Sequence, residues 1–99
     1  MASSIDWKGW KVQVESIPVG AKIQIVDTKT GEYKDAGTTN SKIDWYSSES
    51  KSYPIILSYS GKTVKVLPYS KSGKQIPKIV VDFSYTNYPP EVKKGTKVN

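Results

Sequence analysis

The sequence predicts an all-β domain, a small antiparallel β-sandwich or barrel of about six or seven strands over residues 1–85, followed by a flexible basic C-terminal tail over residues 86–99. Short stretches in which apolar and polar residues alternate recur along the chain, separated by Gly, Pro, Asn and Ser. Apolar positions nowhere recur at helical spacing over a dozen residues. The apolar residues are mostly Val, Ile and Tyr, which favour strands over helices.

The first half of the chain contains four predicted strands. In the first strand, Trp10, Val12 and Val14 alternate with polar residues and therefore share one face. Pro18 and Gly20 end this strand, because proline cannot donate to a strand ladder and glycine permits unusual backbone conformations. Alternation resumes after this turn, so we expect the second strand to fold back beside the first. The four predicted strands cover residues 10–16, 21–25, 32–36 and 42–46.

The second half contains three further predicted strands. Ser60-Gly61 is the strongest two-residue hairpin signal in the chain, because alternating residues flank it on both sides. The last strand carries Tyr85 in phase with its inward-facing residues, which predicts a position in the core or at its rim. Beyond it, Tyr88-Pro89-Pro90 interrupts any ladder and leads into the predicted tail. The three strands cover residues 53–59, 63–67 and 78–85.

The composition excludes several classes of chemistry. The chain has no His and no Cys, which excludes disulfides, Cys or His zinc sites, and Ser-His-Asp or Cys-His nucleophiles. We therefore predict no catalytic residues, no metal site and no cofactor. All 15 basic residues are lysine, and with nine acidic residues they give a net charge of +6. The apolar stretches are too short to predict a membrane span.

A turn of sequence Pro18-Val19-Gly20-Ala21 separates the first two predicted strands. Val14-Glu15-Ser16 precedes it, Lys22-Ile23-Gln24-Ile25 follows it, and Gly37-Thr38-Thr39 comes later. In this pattern residues 12–39 resemble the PEGA domain family, and the match extends more loosely to Gly61. The family has Glu where this chain has Val19, and Pro where it has Thr39. The resemblance implies a β-sandwich attached to cell-surface or envelope proteins, with no catalytic residues to carry over.

Aromatic residues near strand ends are the first candidate binding residues. Trp7 and Trp10 are suited to a platform for sugar rings or nucleobases, or to packing at the edge and in the core of the sandwich. Trp45 and Tyr46 fit carbohydrate binding, or a short strand whose tryptophan lies in the core. Tyr69 lies near a turn, where tyrosine contributes to recognition surfaces or covers a sheet edge.

Lysines are the second group of candidate binding residues. Five of them, without any acid among them, occupy positions 62, 65, 71, 74 and 78. Such a cluster fits a surface for phosphates or anionic polymers, or outward charges that protect a sheet edge. The lack of arginine argues against sequence-specific reading of nucleic acid. Lys71 and Lys74, in a predicted loop, complete the set of candidate residues.

These features predict a non-catalytic structural or binding module of a surface, virion or envelope assembly. The expected ligand is a protein or a glycan, which loop aromatics and lysines contact, and self-association is an additional expectation. The alternative is a basic β protein that binds nucleic acid through its phosphates. The first residues show no cationic segment followed by an apolar one, so no signal peptide is predicted and the compartment stays open.

Overall fold

The computed structural model describes residues 8–27, 30–47 and 53–98, which form two packed β-sheets. The prediction of a small all-β sandwich is confirmed. The described residues contain nine strands, more than the six or seven expected. The strands are β1 (Lys8–Ile17), β2 (Lys22–Val26), β3 (Tyr33–Thr38), β4 (Ser41–Ser47), β5 (Ile55–Tyr59), β6 (Lys62–Leu67), β7 (Lys78–Asp82), β8 (Glu91–Lys94) and β9 (Thr96–Val98).

The strands form a four-stranded sheet of order β4-β1-β7-β8 and a five-stranded sheet of order β3-β2-β5-β6-β9. Pairing is antiparallel except between β1 and β7, which run parallel. The sequence suggested antiparallel pairing throughout. The exception arises because loop 68–77 carries the chain from the end of β6 to the other sheet, where β7 enters in the same direction as β1.

The core lies between the two sheets and follows the predicted alternation. Val12 and Val14 of β1 are fully buried, as is Leu57 in the opposite sheet. Each buried aliphatic side chain contributes roughly 1.5–3 kcal/mol to folding. The core cluster comprises Val12, Val14, Ala21, Ile23, Ile43, Trp45, Ile55, Leu57, Val64, Val66, Ile79, Val81 and Phe83.

The hairpin predicted at Ser60-Gly61 is confirmed. Tyr59 and Lys62 are its closing pair, and β5 and β6 stay in register from there to Ile55. Ser60 and Gly61 have φ angles of 50° and 80°. Two successive positive φ angles match the right-handed twist of the flanking strands, which is why a glycine-containing pair is favoured at this position.

The turn at residues 18–21 carries the chain between sheets, and this corrects the expectation that β2 folds back beside β1. β1 lies in the four-stranded sheet and β2 in the five-stranded sheet. A second crossing in the reverse direction, at Thr39-Asn40, joins β3 to β4. The two crossings meet, since the Thr39 N–H donates to the Ala21 carbonyl at 2.9 Å.

The Thr39 hydroxyl connects these crossings through a buried hydrogen-bond network. Its oxygen accepts from the N–H groups of Gly20 at 3.0 Å and Ala21 at 2.9 Å. The Ser16 hydroxyl lies 2.6 Å away and donates to the Pro18 carbonyl at 2.7 Å. Because the Ser16 proton is used there, the Thr39 hydroxyl donates to Ser16. The donors and acceptors of both hydroxyls are thus matched, as expected for two side chains that are themselves buried.

The C-terminal segment corrects the prediction of a flexible tail over residues 86–99. β8 pairs with β7, and β9 pairs with β6, so the segment contributes one edge strand to each sheet. The prediction rested on the small number of apolar side chains in this segment. An edge strand needs fewer, because backbone pairing supplies much of its stabilisation: Val92 lies opposite Val81, and Val98 opposite Lys65.

Gly95 is the point where the chain passes from β8 to β9. It has a φ of 120°, and an added Cβ would overlap the Val66 side chain. We predict that Gly95→Ala lowers the free energy of unfolding by about 2–4 kcal/mol, because backbone strain and overpacking add. Urea denaturation measures the change.

Gly73→Ala is the matched control for this prediction. Gly73 also has a positive φ, 89°, but nothing lies within 4 Å of its added Cβ. We expect Gly73→Ala to lower the free energy of unfolding by about 1–2 kcal/mol, from backbone strain alone. Equal losses in the two variants would contradict the packing of Gly95 against the core.

Candidate functional site

Three of the seven predicted binding residues form one aromatic cluster. Trp10 and Trp45 lie directly opposite each other on β1 and β4, with ring centroids 5.1 Å apart. Tyr69, after β6, meets both rings nearly edge-on at 5.0 Å and 5.3 Å. These are favourable aromatic geometries, each contributing about 0.5–1.5 kcal/mol beyond the burial of area. We name this region, with loop 68–77, the tryptophan end of the sandwich.

Trp45 belongs to the core rather than to an open platform. Its side chain is only 2% exposed, and its indole N–H donates to the Tyr53 carbonyl at 2.8 Å. The ring therefore has no free face for a sugar or a base. Trp10 is half-buried against the same core, and its buried Nε1 has no acceptor among the described residues. The sequence left two alternatives for these tryptophans, packing in the core and a binding platform. Packing in the core accounts for the positions of both.

Lys71 and Lys74 are exposed in loop 68–77. The loop folds on itself, because the Ser70 N–H donates to the Lys74 carbonyl at 2.8 Å and the Gly73 N–H to the Ser70 carbonyl at 2.9 Å. Thr96 of β9 holds the base of the loop by donating its hydroxyl to the Tyr69 carbonyl. The structure therefore presents two lysines on a well-connected loop whose base includes the predicted Tyr69.

Two predicted site residues are not placed by these observations. Trp7 lies outside the described residues. Tyr46 lies on β4, opposite Gly9, but its side chain is outside the described part of the structure.

The opposite end of the sandwich carries exposed apolar side chains that sequence reasoning did not select. Ile17 and Val19 are 47% and 60% exposed, and Tyr85 and Tyr88 are 45% and 70% exposed. Their two loops are joined where the Phe83 N–H donates to the Ile17 carbonyl at 2.7 Å. Residues 17–20, the hairpin turn at 60–62 and loop 83–90 together form what we name the tyrosine end.

Tyr85 corrects a sequence prediction. Its phase with Ile79 and Val81 suggested the core or its rim, but β7 ends at Asp82 and the chain then leaves the ladder. Tyr85 is consequently 45% exposed, while Phe83 remains buried. The turn residues of Tyr88-Pro89-Pro90 were the available signal that the nearby aromatics lie on a surface loop.

Lys62 holds loop 83–90 against the hairpin. Its ammonium group donates to the Tyr85 carbonyl and, at 3.0 Å, to the Tyr88 carbonyl. A shallow, largely open groove of about 410 Å³ lies beside this contact. It offers an aromatic ring, hydroxyl and amide groups, and no carboxylate; its lining consists of Lys62, Thr63, Thr86, Asn87, Tyr88, Pro89 and Pro90.

The charged residues are partly paired on the outer faces of the sheets. Lys11 contacts Asp44 at 2.8 Å, and Lys78 contacts Glu15 at 3.4 Å. These pairs are solvent-exposed and contribute about 0–1 kcal/mol each. In the described part of the chain, no group of three or more acidic residues is placed to hold a metal ion. Those residues also include no helix long and apolar enough to cross a membrane.

Comparison with known proteins identified no relative. No protein-family model matches the chain, and neither a curated protein nor a solved structure is significantly similar to it.

Asp82, the last residue of β7, has a carboxyl group whose pKa is shifted. Hydrogen bonds from the Ser84 hydroxyl and from the Ser84 N–H lower its pKa, and the charge of Lys93 adds to this effect, while desolvation opposes it. The N–H bond measures 2.8 Å. A lowered pKa in the folded state means that the ionised carboxylate stabilises the fold at neutral pH.

We predict a flat stability profile between about pH 5 and 8, because the chain has no His to titrate there. Stability falls below about pH 4, once the pH drops below the ordinary pKa of Asp and towards the lowered value of Asp82. We expect Ser84→Ala to have a lower free energy of unfolding than the wild type at pH 6. The difference between the two proteins should become smaller as the pH falls towards 2. Urea denaturation across this range measures both effects. A difference that stays constant with pH would contradict the role assigned to the carboxylate.

Proposed function

We propose that the protein is a non-catalytic binding module of a surface, virion or envelope assembly, and that it binds a protein or glycan partner through loop aromatics and a lysine. The observation that carries this proposal is the tyrosine end. Of the five exposed large hydrophobic side chains among the described residues, four lie there: Ile17, Val19, Tyr85 and Tyr88. Exposed apolar groups gathered on adjoining loops are typical of recognition surfaces.

The residues that line the groove indicate which chemical groups a partner would contact. The exposed ring of Tyr88 is suited to stacking against a sugar or packing against an apolar side chain. Asn87 and Thr63 supply amide and hydroxyl groups beside that ring. Lys62 fixes the loop by bonding two of its carbonyls, so the surface is partly ordered before a partner arrives.

The kinship with PEGA domains remains a proposal. It is supported by the turn at residues 18–21, which joins the first two strands of a small β-sandwich. An attachment to surface or envelope proteins, as this resemblance implies, would agree with a binding role.

A displayed random-peptide library and a glycan array, both screened with the purified chain, test the proposed binding. We expect ligands from one of the two, with affinity reduced about tenfold or more in Tyr88→Ser. Tyr33→Ser is the matched control, because Tyr33 is 54% exposed but lies on β3 at the far end of the domain. Failure to select any ligand, or equal losses in Tyr88→Ser and Tyr33→Ser, would contradict the proposal.

Nucleic acid is the second candidate, favoured by the exposed Lys71 and Lys74 on loop 68–77. Binding through phosphates weakens steeply with salt, and replacing both lysines with glutamine would reduce the logarithmic salt slope by about two. Retention on immobilised duplex DNA measures this dependence. A retention that is salt-sensitive, lost in the double variant and kept in Tyr88→Ser would favour this second function over the first.

A further inference from the structure

β4 is the long edge of the four-stranded sheet. Among the described residues it has one strand neighbour, β1, with which it pairs without a register shift from Ser41 to Ser47. No strand in the described ranges pairs with its outer edge, and a row of unpaired backbone groups is the template that another strand needs for pairing.

The other three edges are less suited to pairing. β3 lies opposite a register shift between Ile23 and Gln24, and β8 opposite one between Val80 and Val81. β9 has three residues. Bulges and short strands are the usual means by which proteins prevent edges from pairing. β4 has neither of these features.

The side chains of β4 make this edge complementary to itself. Lys42 and Asp44 share the outer face, and Ile43 lies between them with its side chain in the core. In an antiparallel pair of two β4 strands centred on Ile43, each Lys42 lies opposite the Asp44 of the second copy. Moving the centre by one residue is disfavoured, because centring on Lys42 places Lys42 opposite Lys42 and centring on Asp44 places Asp44 opposite Asp44.

Lys11 strengthens this arrangement from the neighbouring strand. It pairs with Asp44 at 2.8 Å within one chain, so Asp44 would lie between two lysines in the joined sheet. The outer face would then carry a row of alternating charges across the junction, Lys11 and Asp44 from one copy and Lys42 from the other. Both copies contribute the same row, as a two-fold axis perpendicular to the sheet requires.

We propose that two copies of this chain associate through β4, antiparallel and centred on Ile43, to form a continuous eight-stranded sheet. The association leaves the tyrosine end of each copy free, because β4 is at a sheet edge and the exposed apolar loops lie at the end of the sandwich. The pairing is independent of the proposed partner binding, so either can fail without the other.

Charge exchange tests the pairing. Sedimentation equilibrium of the wild-type chain should show a dimer that weakens with salt. Lys42→Asp and Asp44→Lys should each weaken self-association about tenfold or more, because like charges then face each other. An equimolar mixture of the two variants should form a heterodimer, and the double variant Lys42→Asp/Asp44→Lys should again form a homodimer. Lys22→Asp is the matched control, since Lys22 is exposed on the other sheet and pairs with Asp35.

A second measurement uses the unaltered chain, so its result does not depend on whether the variants fold. In a mixture of isotope-labelled and unlabelled wild-type chains, isotope-filtered NOEs should connect β4 residues of the two copies, with Ile43 facing Ile43. A wild-type chain that stays monomeric at about millimolar concentration, where weak associations form, would overturn the proposal. So would a dimer that the single charge variants leave unchanged.

Discussion

The Thr39 hydroxyl joins the two chain crossings on which the sandwich depends. One crossing takes the chain from β1 to β2 and the other from β3 to β4, in opposite directions between the sheets. The first crossing buries the backbone N–H of Ala21, and a buried polar group left unpaired costs about 1–3 kcal/mol. Thr39, at the second crossing, accepts from Gly20 and Ala21 and donates to Ser16, so its side chain pairs the polar groups of the first crossing. The sheets are thereby held in a fixed relation at the end where the exposed loops begin.

The two ends of the sandwich use their aromatic residues differently. At the tryptophan end the large rings pack inward, and Trp45 is 2% exposed. At the tyrosine end the rings lie on a loop held by Lys62, and Tyr88 is 70% exposed. A small domain has a limited core, and it uses the tryptophans to fill one end of it. At the opposite end the exposed aromatic surface is formed by tyrosines.

The part of the fold that could be predicted from the sequence is the part that local sequence patterns determine. Alternation identified the strands that cross the core, and Ser60-Gly61 located a hairpin whose backbone angles require such a pair. The parallel pairing of β1 with β7 depends on how loop 68–77 crosses the domain, which no local pattern records. β8 and β9 were missed because their stabilisation comes from neighbouring strands. The candidate tryptophans were found as a cluster, but residue type alone does not distinguish a buried ring from an exposed one such as Tyr88.

The role of the Thr39 hydroxyl is tested most directly by urea denaturation of Thr39→Val beside Thr39→Ser. The valine variant keeps the shape of the side chain and leaves the Gly20 and Ala21 N–H groups without their acceptor. We expect it to lose about 2–4 kcal/mol of the free energy of unfolding, which corresponds to a fall in Tm of roughly 10–20 °C. The serine variant keeps the hydroxyl and should lose about 1 kcal/mol, for one methyl group. Equal losses in both variants, or a larger loss in the serine variant, would contradict the account.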